Sequence, residues 1–256
     1  MRQVHQQLPA ETVVYFADQA HVPYGPRPMP EIQSFSRAIT AFLLGQSAKL
    51  VVVACNTASA AALTYLRGKF LDVPFVGMEP AVKPAAETTK TGKVGVLATP
   101  ATFQGALYAS VVERFGAGVE LFQHTCPGLV AQIEKGEFES ATTRAILEEA
   151  LHPMLEKNID TVVLGCTHYP YVIPLIKKIV GEHVRVIDPA PAIVRQVGRM
   201  LDARGLRSAL KSKGKLQLFT SGDTDALKSV LPKLLSEGAD VTSVVWRGDH
   251  EVGKQG

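Results

Sequence analysis

Two short stretches of this chain carry side chains able to move protons or attack carbon. "ACNTASA" (54–60) sets Cys55, Asn56 and Thr57 in succession, and "LGCTHYP" (164–170) does the same with Cys166, Thr167 and His168. Each stretch ends an apolar run. A lone thiol in such a place is most often a small buried hydrophobe. Two of them, each beside hydrogen-bonding residues that are costly to bury without a partner, argue for more than packing. His168 stands two residues from Cys166, where an imidazolium favours the thiolate and a neutral imidazole accepts the thiol proton.

Three chemistries suit these residues. Cys55, Cys166 and His168 are zinc-ligand types, although their spacing matches no closed structural zinc pattern. One nucleophilic cysteine assisted by His168 is a second option, and it leaves the other Cys-Thr unexplained. The third is two-base proton transfer. One thiol removes a proton from a carbon acid and the other returns one on the opposite face, while adjoining hydroxyls and amides hold carboxylate and ammonium groups.

The elements that would position these residues are legible as short Val- and Leu-rich runs. They are 12–18, 49–56, 73–78, 93–100, 119–124, 161–167, 184–188 and 215–222. Segments of helical character lie between them, among them 29–46, 100–116, 143–158 and 191–205. Continuous apolar strands alternating with amphipathic helices predict an α/β fold with parallel sheets covered on both faces. Ligands of such folds gather at the carboxyl ends of strands. The polar residues there are Asp18, Cys55-Asn56-Thr57, Glu79, Thr99, Cys166-Thr167-His168 and Asp188. "LVVVACNTASA" and "TVVLGCTHYP" echo one another, with their cysteines 111 positions apart, about the span of one small α/β domain. Two similar halves, each presenting one thiol, would face each other across a cleft.

Composition narrows the partners. The 256 residues are 46% hydrophobic and 20% charged, with a net charge of +3 and basic residues interleaved with acidic ones. That leaves no electrostatic footprint for nucleic acid, and the densest basic run, 203–215, reads as a solvated loop. No apolar run approaches the roughly 18 residues of a membrane span, and the first residues contain no apolar signal region. Three cysteines without a CxxC pair predict a reducing compartment, the cytoplasm. With neither a Walker-type phosphate loop nor a G-x-G-x-x-G after a strand, cofactor-free chemistry is the expectation.

Taken together, "YFADQAHVPYG" (15–25), "ACNTASA", "ATPATFQGALY" (98–108), "CPGLVAQIEKGE" (126–137), "LGCTHYPYVIPLI" (164–176) and "IDPAPAIVRQV" (187–197) resemble the glutamate racemases of the aspartate/glutamate racemase superfamily. The resemblance runs from about residue 8 to residue 205. It implies cofactor-independent interconversion of L- and D-glutamate, supplying D-glutamate for bacterial peptidoglycan, with Cys55 and Cys166 as the catalytic thiols. His168 matches the partner of Cys166, and Glu134 an acidic residue near that side; read alone, Glu134 is equally a solvated helix-end charge. Pro23, Tyr24 and Gly25 resemble a substrate loop. Asn56, Thr57, Thr99, Thr102 and Thr167 resemble the groups that bind carboxylates and ammonium, although Thr102 also suits a helix-start hydroxyl. Cys126 reads as structural.

The resemblance also implies two pseudo-symmetric parallel-sheet α/β domains with the active site in the interdomain cleft. Residues 1–78 with 189–256 would form the first domain and 79–188 the second. A homodimer without metal is the expected assembly. A racemase for another amino acid, aspartate or a hydantoin, and a non-catalytic glutamate-binding remnant are the rival readings.

One departure from the family pattern carries an expectation of its own. The family precedes the helix before Leu8-Pro9 with a strand leading into Asp-Ser-Gly, whose Asp assists the thiol matching Cys55. No Asp-Ser-Gly occurs in these residues. The expected consequences are a parallel sheet short of one strand and weak or no glutamate turnover, restored by an N-terminal extension that supplies the strand.

Overall fold

Apolar runs that must be buried on both faces become the inner strands of parallel sheets, and the helices between them cover those faces. The computed structural model describes residues 1–235, 239–248 and 250–254; the remaining positions, all within the expected first domain, lie outside the described residues. In chain order the first half forms α1 (Arg2–Gln7), β1 (Val13–Ala17), α2 (Met29–Gly45), β2 (Val51–Val53), α3 (Asn56–Lys69), β3 (Phe75–Gly77), α4 (Val82–Ala86), β4 (Lys93–Ala98), α5 (Pro100–Gln104), α6 (Ala106–Phe115) and β5 (Glu120–His124). There follow α7 (Leu129–Glu134), α8 (Ala141–Glu156), β6 (Thr161–Gly165), a 3-10 turn (Tyr169–Val172), α9 (Ile173–Val180), β7 (Arg185–Ile187), α10 (Ala190–Ala203), β8 (Leu216–Thr220), α11 (Thr224–Leu235), β9 (Val241–Arg247) and β10 (Glu251–Lys254). The α/β class predicted from the alternating pattern is the class observed.

The chain divides into two compact units. Met1–Val53, Ala61–Gly77 and Ala190–Gly256 make one; Ala54–Ala60 and Met78–Pro189 make the other.

The second unit is built on a parallel sheet of order β5-β4-β6-β7. Its inner strands, KVGVLA and TVVLG, are buried almost throughout. Because side chains alternate across a strand, successive residues feed two separate cores. Leu97, Val162 and Leu164 pack with Leu129, Ile133, Leu147, Leu151 and Leu175 of the helices on one face. Val94, Val96 and Val163 pack with Val82, Ala85, Tyr108 and Val111 on the other. Both faces of the sheet are therefore closed, and its carboxyl ends are left for chemistry.

The first unit holds a sheet of order β1-β8-β9-β10, in which β10 runs antiparallel, and a parallel pair β2-β3. The β9–β10 hairpin was outside the sequence expectation. Its burial alternates along the strands rather than running continuously, as suits an antiparallel edge with one wet face. Gly248, just past β9, has φ +64°, a left-handed turn conformation that glycine adopts readily.

A second difference lies at 100–116, expected as one helix and observed as two. Gly105 is extended (φ −72°, ψ 137°) and separates α5 from α6. A Cβ on Gly105 would come within 2.8 Å of Ala60 Cβ. The break thus marks a close approach that only glycine permits, bringing Gly105 against Ala60 of α3.

One carboxylate ties the entry of β4 to the entry of β6. Asp160 accepts from Thr89 Oγ1 (2.7 Å), the backbone N–H groups of Lys90 (2.5 Å) and Thr91 (3.0 Å), and Thr161 Oγ1 (3.0 Å). Burial opposes its charge, but these donors outweigh burial and hold the carboxyl down at about 2. A carboxyl depressed on folding stabilises the native state above its unfolded value, about 3.9, and loses that contribution as pH falls towards 2. Replacing Asp160 with Asn is expected to lower stability at pH 7 by about 1 kcal/mol, kept modest because the site is partly open to solvent. The difference from wild type, read from urea midpoints, should shrink steadily between pH 5 and pH 2.

Candidate active site

Strand register brings the candidate residues of the second unit together. Ala98 of β4 is paired with Gly165 of β6, so the residues that follow, Thr99 and Cys166, leave the sheet side by side. This pairing is as tight as a sheet allows, since a Cβ on Gly165 would lie 2.7 Å from Ala98 Cβ.

Cys55 sits immediately before α3. Its carbonyl accepts from Ser59 N–H (2.8 Å) and its Sγ from Ala58 N–H (3.4 Å), so the thiol sulfur lies at a helix N-terminus. That end of the helix favours negative charge, but burial dominates and pushes the Cys55 thiol up to about 11. The Ala58 N–H bond lowers it and the charge of Cys166 raises it further, while the hydrogen bonds from Thr57 act downwards. Cys55 is thus a thiol that keeps its proton, and the two cysteines feel one another electrostatically.

Cys166 is buried, 7% exposed, with its Sγ 3.8 Å from His168 Nδ1. The other ring nitrogen, Nε2, meets Glu134 Oε1 at 2.6 Å. Burial alone would lower the imidazole, but the hydrogen bonds to Cys166 and Glu134 prevail and raise His168 to about 10. At neutral pH the ring is an imidazolium between a sulfur and a carboxylate. Glu134 ends α7, and the contact with His168 is the one its carboxylate makes at 2.6 Å.

Three hydroxyls cluster beside Cys55. Thr57 Oγ1 is 2.8 Å from Thr99 Oγ1 and 3.5 Å from Thr102 Oγ1, with 2.9 Å between the latter two. The helix-start position belongs to Thr99, the N-cap of α5, which accepts from Thr102 N–H (3.4 Å). Thr102, 1% exposed, is left with its hydroxyl in the cluster. Asn56 is 3% exposed, and neither its Oδ1 nor its Nδ2 finds a partner among the described residues. An unpaired buried amide costs about 1–3 kcal/mol, and next to a thiol it is a group poised for a polar ligand. Thr167 lies half-buried between Cys166 and His168.

Pro23, Tyr24 and Gly25 belong to the first unit, in the loop between β1 and α2, where Tyr24 OH donates to Asp18 (2.6 Å). Cys126 is 2% exposed in the core below β6, and burial followed by the charge of Cys166 pushes its thiol up to about 12. Packing is its evident role. Among the described residues no three His, Cys, Asp or Glu side chains are grouped to hold a metal ion. No helix among them is long and apolar enough to cross a membrane.

A closed parallel α/β layer with two dissimilar thiols, an ion-paired imidazole and a hydroxyl cluster at its strand ends is an arrangement for acid/base chemistry at carbon. Comparison with known proteins agrees: the model of the Asp/Glu/Hydantoin racemase family matches residues 1–197, and the chain belongs to that family. Within it the similarity is to glutamate racemases. That of Roseiflexus sp. (strain RS-1) is 46% identical over 235 residues, covering 91% of this chain and 86% of that protein. The crystal structure of glutamate racemase isoform RacE1 from Bacillus anthracis superposes with a TM-score of 0.83 at 32% identity, over 94% of this chain and 91% of that one. The glutamate racemase of Francisella tularensis, solved in complex with D-glutamate, gives 0.81 at 28% identity, over 96% and 91%.

Proposed function

We propose that this chain interconverts L- and D-glutamate without a cofactor, Cys55 and Cys166 acting as acid and base on opposite faces of the α-carbon, the family match and the thiol pair favouring turnover over the weak activity expected from the lack of an Asp-Ser-Gly. The observation that carries the reading is the difference between the two thiols. Cys166 has an imidazolium at 3.8 Å, and Cys55 is held protonated by burial. One sulfur can thus enter the reaction as a thiolate while the other still holds a proton.

In one direction the Cys166 thiolate takes the α-proton, and the electron pair left on carbon is held by the adjoining carboxylate. Cys55 then delivers its proton to the other face, which inverts the centre and leaves the negative charge on Cys55. Reversal uses the same groups in exchanged roles. His168, charged and braced by Glu134, offsets the thiolate of Cys166. Asn56, Thr57, Thr99, Thr102 and Thr167 supply the neutral donors and acceptors that an α-carboxylate, a side-chain carboxylate and an ammonium require. The loop of Pro23, Tyr24 and Gly25 completes substrate binding in this reading. In this reading residues 1–78 with 189–256 form one domain of the enzyme and 79–188 the other, the chain crossing near Glu79-Pro80 and returning near Asp188-Pro189. A cytoplasmic homodimer feeding D-glutamate into peptidoglycan synthesis is the setting this reading implies, and the free thiols of Cys55, Cys126 and Cys166 suit a reducing compartment.

Each enantiomer of glutamate incubated in D₂O is expected to invert with one deuteron gained at the α-carbon, seen by NMR and circular dichroism. Aspartate should exchange far more slowly. Glutamate binding in calorimetry with no α-exchange would overturn the reading in favour of a non-catalytic binder, and faster exchange of aspartate would change the substrate.

A further inference from the structure

Asp18, at the carboxyl end of β1, has no part in the chemistry above, yet it is the most heavily bonded carboxylate of the first unit. It is 9% exposed, and four side chains from three segments converge on it. His21 Nδ1 lies 3.0 Å from Oδ1 and 2.9 Å from Oδ2. Tyr24 OH donates to Oδ2 at 2.6 Å. Ser221 Oγ, just past β8, and Trp246 Nε1, on β9, each donate to Oδ1 at 2.9 Å. The His21 ring stacks on Phe35 with centroids 3.8 Å apart and meets Trp246 edge-on at 4.7 Å. Ser221 Oγ also accepts from Ala20 N–H (3.1 Å), and Thr220 Oγ1 donates to Gln19 (2.8 Å).

The arrangement is more than a helix cap or a surface ion pair. A carboxylate is acceptor-only, and here both oxygens are consumed by donors of which two, His21 and Tyr24, lie in the 18–27 loop. The other two lie in the sheet or just past it. Nothing else in the network can accept all four, and an amide in place of the carboxylate would set a donor against at least one donor. Tyr24 is the middle residue of the loop assigned above to substrate.

We propose that Asp18 is a positioning residue that locks the Pro23-Tyr24-Gly25 loop onto the ends of β8 and β9, making Trp246 an internal reporter of that loop. The substrate part of this inference rests on the proposed racemase function; the locking part does not. Trp246 is the sole tryptophan of the chain, so its emission reads this junction without interference.

The test compares wild type with Asp18→Asn and Tyr24→Phe. In ligand-free protein, amide hydrogen exchange at residues 19–27 is expected to quicken at least about tenfold in both variants while exchange in β4 and β6 stays unchanged. Trp246 emission should shift in Asp18→Asn. With glutamate, KM should rise about tenfold with kcat within about threefold of wild type, and the glutamate-dependent change in Trp246 emission should move to matching concentrations. Tyr24→Phe removes one donor and keeps the fold, so it decides the matter if Asp18→Asn does not fold. Unchanged loop exchange in Tyr24→Phe overturns the locking. Quickened exchange with unchanged KM overturns the link to substrate. A wild type that neither binds nor exchanges glutamate overturns the racemase reading, while loop exchange still decides the role of Asp18.

Discussion

Cys55→Ser or Cys166→Ser is expected to lower racemisation by at least about 10²–10⁴-fold, the usual contribution of a positioned acid or base. A serine hydroxyl keeps the shape of the thiol but gives up its proton far less readily, so each variant removes one acid/base group and spares the packing. The two variants should then differ in a telling way. In Cys55→Ser, Cys166 and His168 remain able to take the α-proton of one enantiomer and return a deuteron from the solvent to the same face. In Cys166→Ser, Cys55 is left to do this for the opposite enantiomer. Each variant should therefore exchange one enantiomer of glutamate in D₂O slowly and with retention, and the preferred enantiomer should switch between them. Racemisation within about threefold of wild type in either variant would sink the two-base scheme.

The second large effect concerns the His168–Glu134 pair. His168→Asn removes the positive partner of the Cys166 thiolate, and kcat/KM is expected to fall by about 10²–10⁴-fold. The equilibrium constant of a racemisation is one, so this loss must be equal in both directions. Asymmetry can enter only through kcat and KM separately, and the direction in which Cys166 acts as base should lose more in kcat. Glu134→Gln is the gentler change. It keeps a hydrogen-bond acceptor 2.6 Å from Nε2 but removes the negative charge that helps to hold His168 near 10. Its pH profile should lose activity on the alkaline side at lower pH than wild type, because a raised histidine gives up its proton earlier once the raising charge is gone. An alkaline limb identical in wild type and Glu134→Gln would show that this carboxylate does not tune the ring.

The thiols were legible because a strand buried on both faces leaves a plain apolar run, and its end then stands out. That was enough to single out Cys55, Cys166 and their polar neighbours, and the α/β class with them. Glu134 could not be settled from sequence, since its partner lies 34 residues away and a short helix ending in Glu looks the same solvated or paired. The division of 100–116 into two helices escaped for a different reason: the glycine at the break fits against Ala60, a contact that a local pattern does not contain. Helix α3 escaped because "NTASAAALTYLRGK" is rich in small residues and weakly amphipathic. The junction at Asp18 was least legible of all. Its position at a strand end marked it, but Ser221 and Trp246 stand 203 and 228 residues further on.

The contact of Ala98 with Gly165, and that of Gly105 with Ala60, bear on how this site can be altered by evolution or by design. At both, the room for even one methyl group is already taken, so the backbone beneath the thiols admits no gradual drift. A side chain larger than hydrogen at Gly105 or Gly165 would push apart the segments that carry Thr99, Thr102 and Cys166.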